Sequence, residues 1–486
     1  MAIVSDEKII KVLRQYNPWW RTPSAVLAES KPQKRMAYDQ ALQMLRHPSI
    51  RRFAVLSGVR RVGKTTILYQ LIEELIRQGI EPKNILYVTF DNPILKLISV
   101  EDVLSIYESL YPLGGMRYLF LDEIQYTENW SLWMKVIYDS REDVRLVATG
   151  SASPILEKGS ADSGTGRWSV LKIPTMSFYE YCRLLRLDLP DLPEDLRLSQ
   201  LAAWDKAKLG DLIARFAPLQ NHFNRYLTIG GFPELALSDD DAYAQRMLRE
   251  DVVDKVIKRD VLSLFNIRSP LLMEKLFLYL CMNSTGIFNA TTAAKELDNT
   301  SVATIESYLA ALEMSNLIYL AKPVDVGSKG ALKGKPKIFI ADAAIRNAVL
   351  MIEDVLSEEE ELGAMVEATV YKHLLSFYQG STARLGYFRK AKDNQKEVDV
   401  VIELPRQKIL CEVKYRGNSH IPASDAIVEL CRDGASGITH AFLVTKRLED
   451  HGTARHETEI PILRIPAIAF LYLLGKAEAG GAGGKL

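Results

Sequence analysis

The sequence predicts an α/β fold built on a parallel sheet, and three observations predict it. Between residues 53 and 149, short apolar runs alternate with amphipathic stretches, and strands that read as continuous apolar runs belong to parallel sheets covered on both faces. The first run leads into Gly58-Val59-Arg60-Arg61-Val62-Gly63-Lys64-Thr65, which fits the phosphate-loop pattern without a mismatch. The third run ends in Asp122-Glu123, which puts two acids at a strand terminus.

The first fifty residues read as helical and basic. Lys8, Lys11 and Arg14 share a segment with Ile9, Ile10 and Leu13, and Asn17-Pro18-Trp19-Trp20 breaks it. A second helix is expected over 33–45. The alternation then gives strand 53–56, helix 65–78 ended by Gly79, strand 84–90, helix 100–110, strand 118–122, helix 130–140 and strand 144–149. After about residue 173 the strand signal fades. Residues 176–265 read as mostly helical, interrupted at Gly230-Gly231-Phe232-Pro233. An apolar helix at 271–282, short helices at 291–297 and 301–315, and a strand at 317–321 come next, in the order of a winged-helix module. Residues 353–361 carry six acids and no base, which reads as a linker or the polar start of a helix. The last hundred residues return to a helix at 363–377, strands at 384–389, 398–403, 408–415 and 441–445, and a helix at 423–432. From 477 the chain is glycine-rich and reads as a flexible tail.

Composition narrows the function classes. The chain has 486 residues with 61 Lys plus Arg and 61 Asp plus Glu, so its formal net charge is zero. That excludes a histone-like basic protein and an acidic solvating chain. Residues 1–60 nevertheless hold 11 Lys/Arg against 4 Asp/Glu, a local net of +7. The four cysteines (Cys182, Cys281, Cys411 and Cys431) are far apart and form no CxxC pair. This argues against a disulfide scaffold or zinc ribbon and fits a reducing, cytoplasmic setting. No apolar run has the length of a membrane span, so a membrane partner is not expected.

The phosphate loop has a specific chemistry. Its glycines let backbone N–H groups turn toward phosphate oxygens, and the next helix adds partial positive charge at its N-terminus. Gly58, Arg60, Arg61, Val62, Gly63, Lys64, Thr65 and Thr66 are the expected nucleotide-binding residues. Lys64 reaches the terminal phosphates of ATP, and the Thr65 hydroxyl can ligate Mg2+. Asp122 would hold that Mg2+ directly or through water, and Glu123 would polarise the attacking water. The competing reading of the pair is a strand running into an acidic turn. Ser151, with Thr149 in reserve, sits beyond strand 144–149 where a hydroxyl can meet the terminal phosphate, unless it is only a cap. Arg167 reads either as an arginine finger for a neighbouring subunit or as a surface ion-pair residue. Arg60 and Arg61 could contact nucleotide, nucleic acid or neither.

A second group of carboxylates lies near the C-terminus. Residues i and i+2 of a strand share a face, so Glu412 and Lys414 point together, and a hairpin brings Asp399 beside them. Two carboxylates with a lysine can hold a second divalent metal and polarise a water. Glu367, on the preceding helix, adds a further oxygen-bearing group. Outward charges on alternating strands would leave the same letters.

With those residues in view, the chain resembles a group of bacterial and archaeal P-loop ATPases with an AAA-type core, a winged helix and a restriction-endonuclease-like domain. The resemblance covers nearly the whole chain. It rests on Asn17-Pro18-Trp19-Trp20, 58–66, Leu121-Asp122-Glu123-Ile124-Gln125, Thr149-Gly150-Ser151, Gly166-Arg167, 174–180, 230–234 and 337–342. It implies an additional-strand AAA+ core, with Ser151 as sensor and Arg167 as candidate finger. It also implies a homo-oligomeric ring, for which hexamers and heptamers both remain open. The nuclease pattern of that superfamily (Asp, then Asp or Glu, x, Lys) falls on Asp399, Glu412 and Lys414, with Val398 where Pro is usual.

The expected domains are a basic helical region (1–50), an ATPase core (51–175), a helical lid or linker (176–265), a winged helix (266–350), an endonuclease-like domain (351–476) and a tail (477–486). The favoured function is an ATP-hydrolysing motor or remodeller acting on DNA. Phosphate attraction would come from the N-terminal region and from Lys329, Lys333, Lys335 and Lys337, because the expected recognition helix has no Lys or Arg. Two alternatives stand beside it: an ATP-dependent nuclease using Asp399, Glu412 and Lys414, and an ATP-gated switch or scaffold for a protein partner.

Overall fold

The computed structural model describes residues 4–481 apart from 48, 113, 151–165, 266, 325, 327–333, 353, 391–392 and 433–436, and it leaves out the side chains of 252–254, 259, 263 and 393–395. It divides into two compact units, one formed mainly by residues up to Ile173 and one beginning at Pro174.

In the first unit, strands β1 (Phe53–Ser57), β2 (Ile85–Thr89), β3 (Arg117–Asp122), β4 (Val144–Gly150) and β5 (Trp168–Lys172) form a sheet in the order β2-β3-β4-β1-β5. Every pairing is parallel. The fold class is therefore as expected, with β4 inserted between the strand that feeds the phosphate loop and the strand that ends in the acids. Register sets the site: Leu56 lies beside Thr149, Leu121 beside Ala148, and Thr89 beside Asp122. The functional strand ends thus share one edge of the sheet, the carboxyl ends where open α/β sheets bind ligands.

The break at residues 17–20 has a structural cause. The Asn17 side-chain amide donates to the carbonyl of Tyr87 at 2.8 Å, and its Oδ1 accepts from the Tyr87 amide at 2.7 Å. Both indole nitrogens, of Trp19 and Trp20, donate to the Ile85 carbonyl at 3.2 and 2.8 Å. These side chains do for edge strand β2 what a further strand would do and keep its open hydrogen bonds covered. Edge strand β5 escaped the sequence reading. Its run Trp-Ser-Val-Leu-Lys alternates weakly, and only Trp168 of the five is fully buried.

The second unit carries a mixed eight-stranded sheet in the order β12-β13-β11-β10-β9-β8-β6-β7. The strands are β6 (Ile318–Pro323), β7 (Lys337–Ile340), β8 (Arg384–Lys390), β9 (Asp393–Leu404), β10 (Gln407–Lys414), β11 (Ile438–Thr445), β12 (Gly452–Thr453) and β13 (Ile462–Pro466). The hairpin β6–β7 comes after helices Ala290–Glu296 and Val302–Met314, and β6 runs on to pair in parallel with β8. One sheet therefore spans the hairpin and the C-terminal strands. Val398, Val401, Leu410, Ile427 and Leu443 are among the residues of its core.

Helix Glu359–Phe377 begins in the acid-rich stretch, with Glu359, Glu360 and Glu361 in its first turn, where carboxylates complement the helix dipole. The chain end departs from expectation. Helix Ala467–Ala479 buries an almost continuous apolar run from Ala467 to Gly475, and it carries the first three residues of the expected tail, 477–479, in helical form.

Four stretches distant in sequence meet in the second unit. Thr175 Oγ1 donates to Asp342 Oδ2 at 2.5 Å, and the Gly231 amide donates to the same oxygen at 3.2 Å. Lys372 Nζ reaches Asp342 Oδ2 at 3.2 Å, Thr175 Oγ1 at 3.0 Å and the Tyr226 hydroxyl at 2.8 Å. A Cβ on Gly230 would stand 2.2 Å from Asp342 Oδ1, and one on Gly231 would stand 2.5 Å from the Met176 carbonyl. The Gly-Gly turn is thus required by the close approach of these segments.

Candidate nucleotide site and the C-terminal carboxylate centre

The phosphate loop leaves β1 at Ser57 and enters helix Lys64–Arg77. Gly58 packs so closely that a Cβ would stand 2.3 Å from the Ile173 carbonyl, while Gly63 takes a left-handed φ of 95°. Arg61 is also left-handed, at φ 66°. Arg60 donates to the Tyr126 hydroxyl at 2.8 Å, and Arg35 donates to the Val62 carbonyl at 2.5 Å. The Lys64 ammonium is buried and donates to the loop carbonyls of Gly58 and Val59 at 2.8 and 3.1 Å. Thr65 and Thr66 lie in the first turn of the helix.

Across the sheet edge, Asp122 accepts three hydroxyls. Thr65 Oγ1 donates to Oδ2 at 2.9 Å, Tyr87 OH donates to Oδ2 at 2.8 Å, and Thr149 Oγ1 donates to Oδ1. Thr149 also accepts the Glu123 amide at 3.0 Å. Glu123 sits at φ 51°, and its Oε2 accepts Gln125 Nε2 at 2.5 Å. Burial pushes the Glu123 carboxyl above the ordinary range, against the pull of the Lys64 charge, and Asp122 pushes the same way as burial.

The structure thus gathers Lys64, Thr65, Asp122, Glu123 and the reserve hydroxyl Thr149 at one sheet edge. Ser151 lies outside the described residues. Arg167 pairs with Asp139 at 2.8 Å on helix Trp130–Ser140 of its own chain, which is the ion-pair alternative. Tyr87 went unnoticed because nothing in a strand's apolar pattern distinguishes a hydroxyl aimed at a neighbouring strand. Register β2–β3 supplies the missing information.

The C-terminal carboxylates also converge, with two additions. Lys414 Nζ pairs with Glu412 Oε1 at 2.5 Å, Asp399 Oδ2 accepts the Val413 amide at 2.8 Å, and Glu412 Oε2 accepts the Asp399 amide at 3.4 Å. Lys337, expected on the wing surface, is buried instead. Its ammonium stands 2.6 Å from Glu367 Oε1, 2.7 Å from Glu397 Oε1 and 3.3 Å from Asp399 Oδ1. Burial alone would lower the Lys337 pKa, but Glu367, Asp399 and Glu397 outweigh it and hold the ammonium well above its ordinary value. Burial and the Asp399 charge push Glu367 up to about 8, and the same two causes raise Glu412. Glu397 could have been found from Glu397-Val398-Asp399, since it shares a strand face with Asp399. Lys337 had no such signal, because its contact crosses from β7 to β9 and a helix. Among the described residues, no group of three or more His, Cys, Asp or Glu side chains is arranged to hold a metal ion. Nor is any helix among them long and apolar enough to cross a membrane.

Both units have similarities to known proteins. A family model described as an AAA domain matches residues 51–182. Two models described as domains of unknown function match 220–356 and 362–465. An uncharacterized protein of Haemophilus influenzae is 28% identical over 298 residues, covering 60% of this chain and 68% of its own. An uncharacterized protein of Methanocaldococcus jannaschii is 26% identical over 406 residues, covering 81% of this chain and 82% of its own. Among solved structures, the Thermotoga maritima RuvB Holliday junction branch migration motor aligns at 18% identity over 62% of this chain and 89% of that chain, with a TM-score of 0.27. Aeropyrum pernix ORC1 in complex with DNA aligns at 15% identity over 69% of this chain and 96% of that chain, with a TM-score of 0.29. The AAA-domain match spans the five-stranded parallel sheet and the phosphate loop of the first unit.

Proposed function

We propose that the protein hydrolyses ATP and uses the cycle to move or remodel DNA as a ring of identical subunits. The observation that carries the ATPase reading is the convergence of Lys64, Thr65, Asp122, Thr149 and Glu123 at the carboxyl edge of one parallel sheet. Lys64 exchanges its loop carbonyls for phosphate oxygens when nucleotide enters. The Thr65–Asp122 hydrogen bond marks where Mg2+ would be held, and these oxygen ligands suit that ion. Mg2+ supplies charge neutralisation on the phosphates. Glu123, presented from a left-handed turn beside Thr149, accepts a proton from the attacking water.

DNA is the favoured substrate because exposed cations cluster in the N-terminal region. Lys8, Lys11, Arg14, Arg21, Lys31 and Lys34 are all exposed. Helix Val302–Met314, the expected recognition helix of a winged-helix module, carries no basic residue, and Lys337 is buried. Lys335 is exposed, and Lys329 and Lys333 lie outside the described residues. Backbone phosphates would be met by the N-terminal cations and Lys335, with a steep salt dependence. ATPase activity measured against single-stranded, duplex and branched DNA at low salt tests this. A lack of both stimulation and binding on all three would rule out the DNA reading and favour a protein partner.

Ring assembly gives Arg167 its role. The Arg167–Asp139 pair lies at edge strand β5, and in an assembly it would open for the guanidinium to reach a neighbour's phosphates. Arg167→Ala subunits mixed with Glu123→Gln subunits should regain hydrolysis above either variant alone, and no recovery would remove the arginine from the mechanism.

A further inference from the structure

The C-terminal carboxylates surround an ammonium group of the chain itself. Lys337 enters from β7 and places Nζ within 3.3 Å of oxygens on Glu367, Glu397 and Asp399. Its side chain is 3% exposed, and those of the three acids are 14%, 25% and 16% exposed. A lysine on a hairpin ordinarily extends its ammonium to water, and burying it is costly unless carboxylates compensate. The acids have the reciprocal need, since clustered carboxylates in a buried place require a cation. Two neighbouring oxygens are committed as well: Asp399 Oδ2 to the Val413 amide at 2.8 Å, and Glu412 Oε1 to Lys414 at 2.5 Å.

The distances identify the kind of cation the centre accommodates. Separations of 2.6 to 3.3 Å around Nζ are those of N–H donors to carboxylate oxygens. Mg2+ draws its oxygens to about 2.0–2.1 Å and Ca2+ to about 2.3–2.6 Å. A divalent ion and the Lys337 ammonium cannot share this position, and the surrounding oxygens stand at the spacing of the ammonium.

We infer that Lys337 is a resident cation occupying the place of a divalent metal, so that the native centre takes no metal and becomes a divalent-cation site once the lysine charge is removed. Asp399, with Glu367 and Glu397, then serves to anchor β7 to β9 and to helix Glu359–Phe377, and the Asp399-Glu412-Lys414 pattern does not cut DNA. One ammonium joins the hairpin, the strand and the helix.

The test uses the full chain without nucleotide and Mn2+ as probe. Free Mn2+ is measured by paramagnetic resonance, and melting is followed with and without the ion. Lys337→Met should take up about one more Mn2+ per chain than wild type, because a lost ammonium leaves oxygen ligands. Mn2+ should also raise its lowered melting temperature, and adding Asp399→Asn should abolish both gains. A folded Lys337→Met chain with no extra uptake overturns the inference. The comparison of wild type with Asp399→Asn decides independently of how Lys337→Met folds. Equal uptake by these two supports the resident cation. A bound Mn2+ in wild type that Asp399→Asn removes overturns it, as does metal-dependent DNA cleavage lost in Asp399→Ala.

Discussion

At Lys64 and at Lys337 a buried lysine stands among groups drawn to a strand edge, yet the two surroundings differ. Lys64 donates to two carbonyls of its own loop, and Asp122 is held by the hydroxyls of Thr65, Tyr87 and Thr149. Positive and negative charge are each supported by dipoles, so a ligand carrying an anion and a cation can satisfy both. Lys337 faces three carboxylates directly. There the cation and its acids are paired within the chain itself. The lysine backed by loop carbonyls lies in the candidate ligand site, and the lysine paired with three acids ties strands and helix together.

A crossed pair of variants tests that contrast most strongly. Lys64→Ala should lower ATP hydrolysis by about 10²–10³-fold, the scale of losing one charge-stabilising donor. Its melting temperature should stay near that of wild type. Lys337→Met should cost about 3–5 kcal/mol of stability, because it leaves buried carboxylates unpaired. Phosphate release and urea unfolding measured on both chains give the pattern. If Lys337→Met melted like wild type, the resident-cation description would fail.

Glu123→Gln sharpens the first half of the contrast. Turnover should fall by about 10²–10⁴-fold with ATP binding retained, as expected for a lost general base. The pH profile adds a signature with a definite sign. Burial raises the Glu123 pKa, so the ionised base is lost on acidification at a higher pH than for an ordinary carboxylate. kcat/KM of wild type should therefore fall toward acid with an inflection above the usual carboxylate range, and that inflection should be absent from the residual rate of Glu123→Gln.

Legibility in the sequence divides the same way. The nucleotide site lies on residues whose spacing is fixed locally: a loop between a strand and a helix, and acids at a strand end. The helices at 100–110 and 130–140 coincide with the observed Val100–Leu110 and Trp130–Ser140. The elements that escaped depended on pairing across the chain. Strand β5 is an edge with one fully buried residue. Strand β13 and helix Ala467–Ala479 bury long apolar runs whose period does not separate strand from helix. Tyr87 reaches Asp122 only through β2–β3 register, and Lys337 meets its acids across 30 to 62 residues of sequence. Charge pattern suggested that Lys337 lies at the surface, and tertiary pairing put it inside.

The smallest expected effect concerns His373, one position beyond Lys372 on the same helix. The Phe178 amide, at the start of helix Phe178–Leu184, donates to His373 Nε2 at 3.0 Å. That nitrogen must therefore be unprotonated, and Nδ1 carries the hydrogen to the Thr369 carbonyl at 2.7 Å. Burial, reinforced by the Lys372 charge, holds the His373 pKa well below its ordinary value. This fixes the sign of the pH dependence. Below the unfolded pKa of about 6.5, the unfolded chain takes up a proton that the folded chain refuses, so stability falls as pH falls. One such proton amounts to about 1.4 kcal/mol per pH unit in that window. Urea unfolding at about pH 7.5 and 5.5 should show wild type losing ~1.4 kcal/mol more than His373→Gln over the step. Equal acid losses in the two chains would mean that the folded protein admits the proton, and that the Phe178 amide does not hold His373 neutral.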